Sequence, residues 1–318
     1  VLFKRQAQAI DKFSIKKKYI TRNELMDNAG KLSAQFFLEE IKDPFNQKIL
    51  IFAGKGNNGG DAIIMHHYLL KYGVESKLYI FDLKSSKSII TTYKISKKHI
   101  IHNIDQKDLS RYDWFIDGIF GIGLNRKITG LYRRVIQMLE NKNIISLDIP
   151  SGLNCDTGRP FSRTFIKPNH VLSMGYYKNS NILNEGKKYF NKTRILDIGF
   201  PDASKLLGSI NTYLIGEEDI KQIIKKKNPL KNKYDTLSTM IVGSQEYSGA
   251  GILSLLSALN AGSGYVKTVI PRRLSDLYAN ILESVSIPIG NKGYFSKSNY
   301  SEIIRSGIIS KIEPILIG

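Results

Sequence analysis

Alternating strands and amphipathic helices predict an α/β protein. Its expected form is a three-layer sandwich with a central, mostly parallel sheet, followed by the opening of a second α/β unit. Three observations carry this. Short apolar runs alternate with helical periodicity through the first two hundred residues, the pattern of a parallel sheet covered by helices on both faces. Several of those runs end in glycine or aspartate, as strands that meet a ligand crevice do. Beyond residue 232 a fresh strand, glycine loop, apolar helix and strand begin again.

The elements follow in order. Apolar positions at helical spacing (Leu25, Met26, Ala29, Leu32, Phe36, Phe37) predict a helix over Asn23–Ile41. Lys48–Ala53 reads as a strand, then a Gly-rich turn, then a helix over Ala62–Tyr72. Ser76–Phe81, Asp113–Asp117 and Ile144–Asp148 read as further strands, with a helix over Tyr132–Glu140 before the last. Lys84–Lys98 reads as a loop-like, solvated stretch. His170–Met174 and Thr193–Ile198 complete the first set of strands. Ile215–Asn232 holds a charged helix and a basic run and reads as a linker. Thr239–Val242, a helix over Ala250–Ala261 and a strand over Val266–Ile270 open the second unit. The domain boundary is placed at residues 212 and 213.

The chain has 318 residues and a formal net charge of +19, enough length for about two domains. The charge invites a nucleic-acid reading. However, the basic residues are 35 lysines and only 12 arginines, whereas base and phosphate readers favour arginine. A solvated basic surface with some attraction for small-ligand phosphates is the better reading, with no nucleic-acid partner. No apolar run approaches the roughly 18 residues of a membrane span. Lys4 and Arg5 interrupt the only apolar residues at the start, so no leader is expected. The single cysteine, Cys155, excludes an internal disulfide and fits a reducing, cytoplasmic setting. A start at Val1 and a stop straight after Pro314-Ile-Leu-Ile317 suggest a window of a longer protein or a shortened gene product.

Three strand ends carry the chemistry. The first is Gly54-Lys-Gly-Asn-Asn-Gly-Gly-Asp61, placed where backbone N–H groups can face a polar ligand. Gly54, Gly56 and Gly59 also satisfy G-x-G-x-x-G, with Asp82 after the next strand, the weak fingerprint of a dinucleotide site. An ionised Asp61 at the helix start would repel a pyrophosphate there, and could instead act as a simple cap. Asn57, Asn58 and Asp61 are favoured as acceptors of ligand hydroxyl or amide protons. The second is Asp117-Gly-Ile-Phe-Gly-Ile-Gly-Leu-Asn-Arg-Lys127. Gly121 and Gly123 permit close approach there, and Arg126 and Lys127 can neutralise phosphate. The third is Asp148-Ile-Pro-Ser-Gly152. Asn58, Asp117 and Ser151 offer only oxygen ligands and one formal negative charge, a set suited to potassium better than to a divalent ion. Ordinary loop hydrogen bonding explains the same trio equally well. His66 and His67 are adjacent on a helix and cannot form an i,i+4 metal pair. Cys155 reads as structural.

GKGNNGGD, DGIFGIGLNRKITG, LDIPSGLNCDTG and the upstream LMDNAG (Leu25 to Gly30) occur in the order found in NAD(P)H-hydrate epimerase domains, which residues 1–210 resemble. The resemblance implies a Rossmann-like sandwich that interconverts the R and S hydrates of NADH and NADPH, an isomerase of metabolite repair. It implies hydrate-binding positions at Asn57, Asn58, Gly59, Gly60 and Asp61, at Gly121, Ile122, Gly123, Leu124, Asn125, Arg126 and Lys127, and at Asp148. It implies potassium positions at Asn58, Asp117 and Ser151, and a homodimer. From Lys233 to Ile270 the chain resembles the start of a ribokinase-like, ADP-dependent hydrate dehydratase, with Ala250 at a hydrate-binding position. There it has Asn232-Lys-Tyr where that family has His-Lys-Gly, and it stops before the later nucleotide loop. The lyase reaction, with its ADP and magnesium, is expected only of a chain that continues past residue 318.

The substrate carbon carries a hydroxyl and the ring nitrogen, so inversion needs a group that gives and takes a proton. Asp148 is expected to fill that role, with Asp61 and Asn57 orienting the ligand. Asp148→Asn is expected to abolish epimerisation and leave the fold intact. Two other readings stand beside this one, an NAD-dependent oxidoreductase and a non-catalytic nucleotide-binding protein.

Overall fold

The computed structural model describes residues 1–203, 210, 212–223, 237–242, 246, 248–305, 307–308 and 315–317. The chain divides into two compact units, Val1–Ile215 and Gly216–Gly318.

The first unit opens with α1 (Lys4–Lys16) and α2 (Arg22–Glu40). A capping box starts α2: Thr21 Oγ1 accepts from Glu24 N–H at 3.2 Å, and Glu24 Oε2 accepts from Thr21 N–H at 2.7 Å. Then come β1 (Ile49–Ala53), α3 (Asn57–Lys71), β2 (Ser76–Ile80), α4 (Leu83–Thr92), β3 (Ile100–Ile101), β4 (Trp114–Gly118), α5 (Gly130–Met138), β5 (Ile144–Leu147), β6 (His170–Met174), α6 (Asn179–Ile182) and β7 (Thr193–Leu196). The seven strands form one sheet in the order β3-β2-β1-β4-β5-β6-β7, every pairing parallel. All five residues of β1 are buried, as expected of a central strand covered on both faces. Alternate residues of β1 and its neighbours feed two separate cores. Ile49, Ile51 and Ala53 pack with Phe37, Ile63 and Leu69 beneath α2 and α3, while Leu50 and Phe52 pack with Phe115, Val135 and Ile136 beneath α5. Gly30 lets α2 press onto α3, since a Cβ there would lie 2.5 Å from Ile64 Cγ2.

Two local expectations change, and one helix was not anticipated. The helix after β1 starts at Asn57, not Ala62, so the Asn-Asn-Gly-Gly-Asp run is its first turn and not a loop before it. Residues 83–92 of the stretch expected as loop form α4. Asp82 caps that helix by accepting from Ser85 N–H at 3.2 Å, and Ile89 and Ile90 pack on the core. The lysine-rich start is helical as α1, because Ala7, Ile10 and Ser14 turn one buried face inward while the charges ring the other.

The second unit contains α7 (Glu217–Ile223), β8 (Leu237–Ile241), α8 (Ser248–Asn260), β9 (Tyr265–Pro271), α9 (Ser275–Ala279), β10 (Ser284–Ile289), α10 (Lys297–Arg305) and β11 (Ile315–Ile317). Its four strands pair in parallel in the order β10-β9-β8-β11. Met240, Val242, Leu255, Val266 and Tyr278 form its main core. The Asn232-Lys-Tyr departure lies outside the described residues.

Candidate active site

In the large sheet β1 pairs with β2 on one side and β4 on the other. The chain winds outward through β2 and β3, then returns across β1 to β4, which opens a crevice beyond the strand carboxyl ends. A cavity of about 730 Å³ lies there, and residues after β1, β4 and β5 all reach it. Asn57, Asn58 and Asp61 enter from α3, Gly121 to Arg126 from the segment after β4, and Asp148 from the end of β5. The three neighbouring strand ends therefore share one pocket. Gly59, Gly60 and Lys127 do not line it. Gly59 is packed against the Gly54 carbonyl, and Gly60 lies beneath Met26 and Ile89, so these two glycines seat α3 and expose no surface to a ligand. Lys127 is exposed.

The first turn of α3 is capped by Gly56, which has no side chain and φ of +132°. Asp61 is thus not the cap. It is buried, and desolvation together with the carboxylates of Asp148 and Asp11 pushes its pKa well above the ordinary aspartate value. Its neutral form is thereby favoured, which weakens the repulsion of a phosphate expected from its charge. Asn57 Oδ1 accepts a hydrogen bond from Arg22 Nη2 at 2.7 Å. Asp82, the acid of the dinucleotide fingerprint, is engaged in capping α4 and in an ion pair with Lys55 at 3.6 Å.

Asp148 is held from three directions. Its Oδ1 lies 2.7 Å from Lys178 Nζ, its Oδ2 accepts from Ile122 N–H at 3.0 Å, and its own N–H donates to the Leu172 carbonyl at 2.7 Å. Its φ is +66°, a left-handed conformation that aspartate tolerates better than most residues. Gly121 is required beside it, because a Cβ there would sit 2.7 Å from Asp148 Oδ2 and 3.4 Å from the Asn58 side chain.

Asp117 and Ser151 lie beneath the cavity, not on its lining. Asp117 is fully buried, and its carboxylate accepts from Ser151 Oγ at 2.5 Å, Ser151 N–H at 2.9 Å, Ser146 Oγ at 2.8 Å and Ile119 N–H at 3.2 Å. Desolvation raises its pKa, and the bonds from Ser151 and Ser146 oppose the rise. Ser151 Oγ in turn accepts from Phe120 N–H at 2.8 Å, which ties the β5 end to the segment after β4. Asn58 is different. Its Oδ1 and Nδ2 are both buried with no hydrogen-bond partner, a costly state unless something else binds them. An open amide oxygen, with a buried carboxylate and a serine hydroxyl at the neighbouring strand ends, makes an all-oxygen set with one formal charge, the kind that suits a monovalent cation. Among the described residues no group of three or more His, Cys, Asp or Glu is placed to hold a metal ion.

The remaining candidates fall outside this pocket. Ala250 is exposed on α8 of the second unit. Cys155 is buried, and burial followed by the charge of Asp148 pushes its thiol up to about 12, so it is inert as a nucleophile. His66 lies fully buried with Nδ1 at 2.8 Å from Ser76 Oγ. Desolvation, helped by the neighbouring His99, lowers its pKa to about 3.

Among the polar pocket residues that were not anticipated are Asp11, Arg22, Tyr176 and Lys178. Lys178 follows β6, the neighbour of β5, so the strand-end logic applied once more would have reached it. Asp11 and Arg22 come from the first two helices, and no periodicity announces that those helices border a site.

With this geometry in view, the relatives can be placed. The family described as YjeF-related protein N-terminus matches residues 22–180. The chain belongs to this YjeF-related family. A Dictyoglomus turgidum protein named bifunctional NAD(P)H-hydrate repair enzyme Nnr is 33% identical over 92% of this chain and 59% of its own length. An Oenococcus oeni protein named NAD(P)H-hydrate epimerase is 33% identical over 61% of this chain and 94% of its own length. The chain thus spans about three-fifths of the bifunctional relative and nearly all of the shorter one. The crystal structure of yeast ynu0 shares the fold, with a TM-score of 0.50 and 22% identity over 61% of this chain and 86% of that one. The YjeF-related segment begins with α2 and ends at Ser180, so it contains every side chain of the pocket except those of Leu2, of α1 and of the segment around Ile198 and Phe200. Among the described residues no helix is long and apolar enough to cross a membrane.

Proposed function

We propose that the first unit interconverts the R and S hydrates of NADH and NADPH. One observation carries the reading: the ends of β1, β4 and β5 place Asn57, Asn58, Asp61, the Gly121–Arg126 segment and Asp148 around a single cavity, in a chain whose family members bear that activity in their names. The cavity also has a polarity that suits such a ligand. Asp148, Lys178 and Asp61 sit at its floor, while Lys12, Arg22, Lys55 and Arg126 are exposed around it, where they can meet phosphate.

Two carboxyl groups with opposed environments are the ordinary signature of an acid and a base. Burial and neighbouring carboxylates favour the neutral form of Asp61, and Asp148 faces a buried ammonium. If the ring opens, Asp148 takes the hydroxyl proton as the C–N bond breaks to leave a carbonyl, Asp61 donates to the ring nitrogen, and closure on the other face reverses both transfers. If the hydroxyl leaves, Asp61 protonates it, and Asp148 takes the proton of the water that returns on the opposite face. Asn57, fixed by Arg22, orients the ligand. Asn58 Oδ1, with Asp117 and Ser151 behind it, would hold potassium, which when bound supplies a charge that orders the segment after β4 or a ligand phosphate.

We assign the second unit as the opening part of an ADP-dependent, magnesium-requiring hydrate dehydratase, with Ala250 near its substrate. This assignment concerns a chain of the full length of the bifunctional relatives. The homodimer and the cytoplasmic setting belong to the same reading.

The test is to incubate pure (R)-hydrate with this protein and a separate S-specific dehydratase. Complete conversion to the dinucleotide is expected, and persistence of the R form refutes the epimerase reading. Thermal unfolding in potassium against sodium chloride, with Asn58→Ala alongside, tests the cation: a rise in Tm specific to potassium and absent from the variant is expected.

A further inference from the structure

The feature that the proposed reaction leaves unexplained is Lys178. A lysine with 3% exposure is rare in a protein interior unless paired. Its three ammonium protons meet three acceptors: Asp148 Oδ1 at 2.7 Å, the Met174 carbonyl at 2.8 Å and Ser173 Oγ at 3.1 Å. An ammonium has three donors and no acceptor, so this shell suits the charged form and leaves no N–H free for a ligand. The backbone around it is fixed as well. Lys178 N–H donates to Asn181 Oδ1 at 2.7 Å, and its flanking residues bind Leu2, through Leu2 N–H to the Tyr177 carbonyl at 2.8 Å and Asn179 N–H to the Leu2 carbonyl at 3.1 Å. The carboxylate it meets sits at a positive φ, strain that persists only where its surroundings over-determine it.

We propose that Lys178 is a positioning residue for the reaction: its buried ammonium pairs with one oxygen of the Asp148 carboxyl group and fixes the direction of the remaining lone pairs toward the cavity. The inference rests on the epimerase reading for its kinetic consequence and on the ion-pair geometry for its structural one. It separates the roles of two carboxyl groups on one cavity wall. Asp148 has an ammonium at contact distance, whereas at Asp61 the pull of Lys178 is outweighed by burial and by the carboxylates of Asp148 and Asp11. The charged or titratable groups bearing on Asp148 are Lys178 from the end of β6, Asp61 from α3, Asp11 from α1, and Cys155 after β5. Of these, only Lys178 carries a positive charge, so its removal leaves the Asp148 carboxyl group without its ion-pair partner.

The experiment compares wild type, Lys178→Met and Lys178→Arg as full chains. The kinetic arm measures epimerisation of (R)-hydrate, and the structural arm locates the Asp148 side chain in crystals of each. Lys178→Met is expected to lower kcat by roughly 100-fold or more, the scale of a misplaced proton-transfer group, with KM changed less than about threefold, and to show the Asp148 carboxyl group displaced. Lys178→Arg keeps the charge but not the reach of the ammonium, so its kcat should lie between the other two. A folded Lys178→Met with wild-type kcat, or with an unmoved Asp148 side chain, overturns the proposal. If Lys178→Met does not fold, Lys178→Arg decides: a kcat equal to wild type overturns it. If wild type itself converts no hydrate, the epimerase reading fails, and the position of the Asp148 side chain still decides whether Lys178 fixes it.

Discussion

Asp148→Asn changes more than the chemistry. Lys178 and Asp148 meet at 2.7 Å with side-chain exposures of 3% and 13%. At an effective dielectric of about 20, two unit charges at that separation attract by roughly 6 kcal/mol before desolvation is subtracted. Asparagine keeps an acceptor for the ammonium but removes the counter-charge. The expected loss is about 3 kcal/mol, the low end for stranding one partner of a buried pair, because the carboxylate is not wholly buried and a neutral hydrogen bond survives. For a unit of this size the loss corresponds to a Tm lower by roughly 6–12 °C. The assay is urea and thermal unfolding of wild type, Asp148→Asn, Lys178→Met and the double variant, read at the transition of the first unit. The double variant should recover most of the loss, with a coupling energy of about 2 kcal/mol, since removing both charges strands neither. An Asp148→Asn variant within about 0.5 kcal/mol of wild type, with no coupling, refutes the buried-pair account. The fold survives the substitution in this reckoning, but at a measurable cost.

The other predictions concern the same pocket. Gly121→Ala places a methyl 2.7 Å from Asp148 Oδ2, and should cut kcat by about 100-fold through misplacement of the carboxylate, with a loss of about 1–3 kcal/mol seen in urea unfolding. Asp61→Asn should raise Tm at pH 7 and lower epimerisation. The folded pKa of Asp61 is raised by burial and by Asp148 and Asp11, so the native state binds more protons above the ordinary aspartate range, and the wild type loses stability as pH rises from there. The Tm advantage of the variant should therefore vanish below about pH 4. Arg126→Ala should raise KM by about tenfold with kcat unchanged, the loss of a charged contact made equally in ground and transition states, and steady-state kinetics would show it. Cys155 should react with a disulfide reagent only on unfolding, because burial and Asp148 hold its thiol up to about 12.

Much of this was legible because strand ends carry their own punctuation. A buried apolar run that stops at Gly54, Asp117 or Asp148 marks where a chain leaves a parallel sheet, and in such a sheet those points face one crevice. Adjacency of the three strands followed from topology, since the only free choice was on which side of β1 the chain continued. The helix start at Asn57 was not legible, because two asparagines and two glycines are poor helix formers taken alone; tertiary contact overrides them, with Gly59 and Gly60 packed on backbone and side chains that no larger residue would clear. Nor was α1, whose lysines hide a buried face only three residues wide. Long-range pairs such as Arg22 with Asn57 and Lys178 with Asp148 leave no local trace at all.

The burial of charge at this site explains why its parts cannot be exchanged one by one. Three carboxyl groups, Asp11, Asp61 and Asp148, face a cavity whose floor holds one buried ammonium. Electroneutrality in a poorly solvated space allows about one of them to ionise there at little cost. Contact distance selects Asp148, which is the group with an ammonium beside it and a backbone N–H on its second oxygen. Asp61 lies deeper and lacks such partners, and burial with its two carboxylate neighbours favours its neutral form. In the proposed reaction an acid and a base thus arise from identical side chains through position alone, and moving the lysine, not either aspartate, is the change expected to reverse their roles.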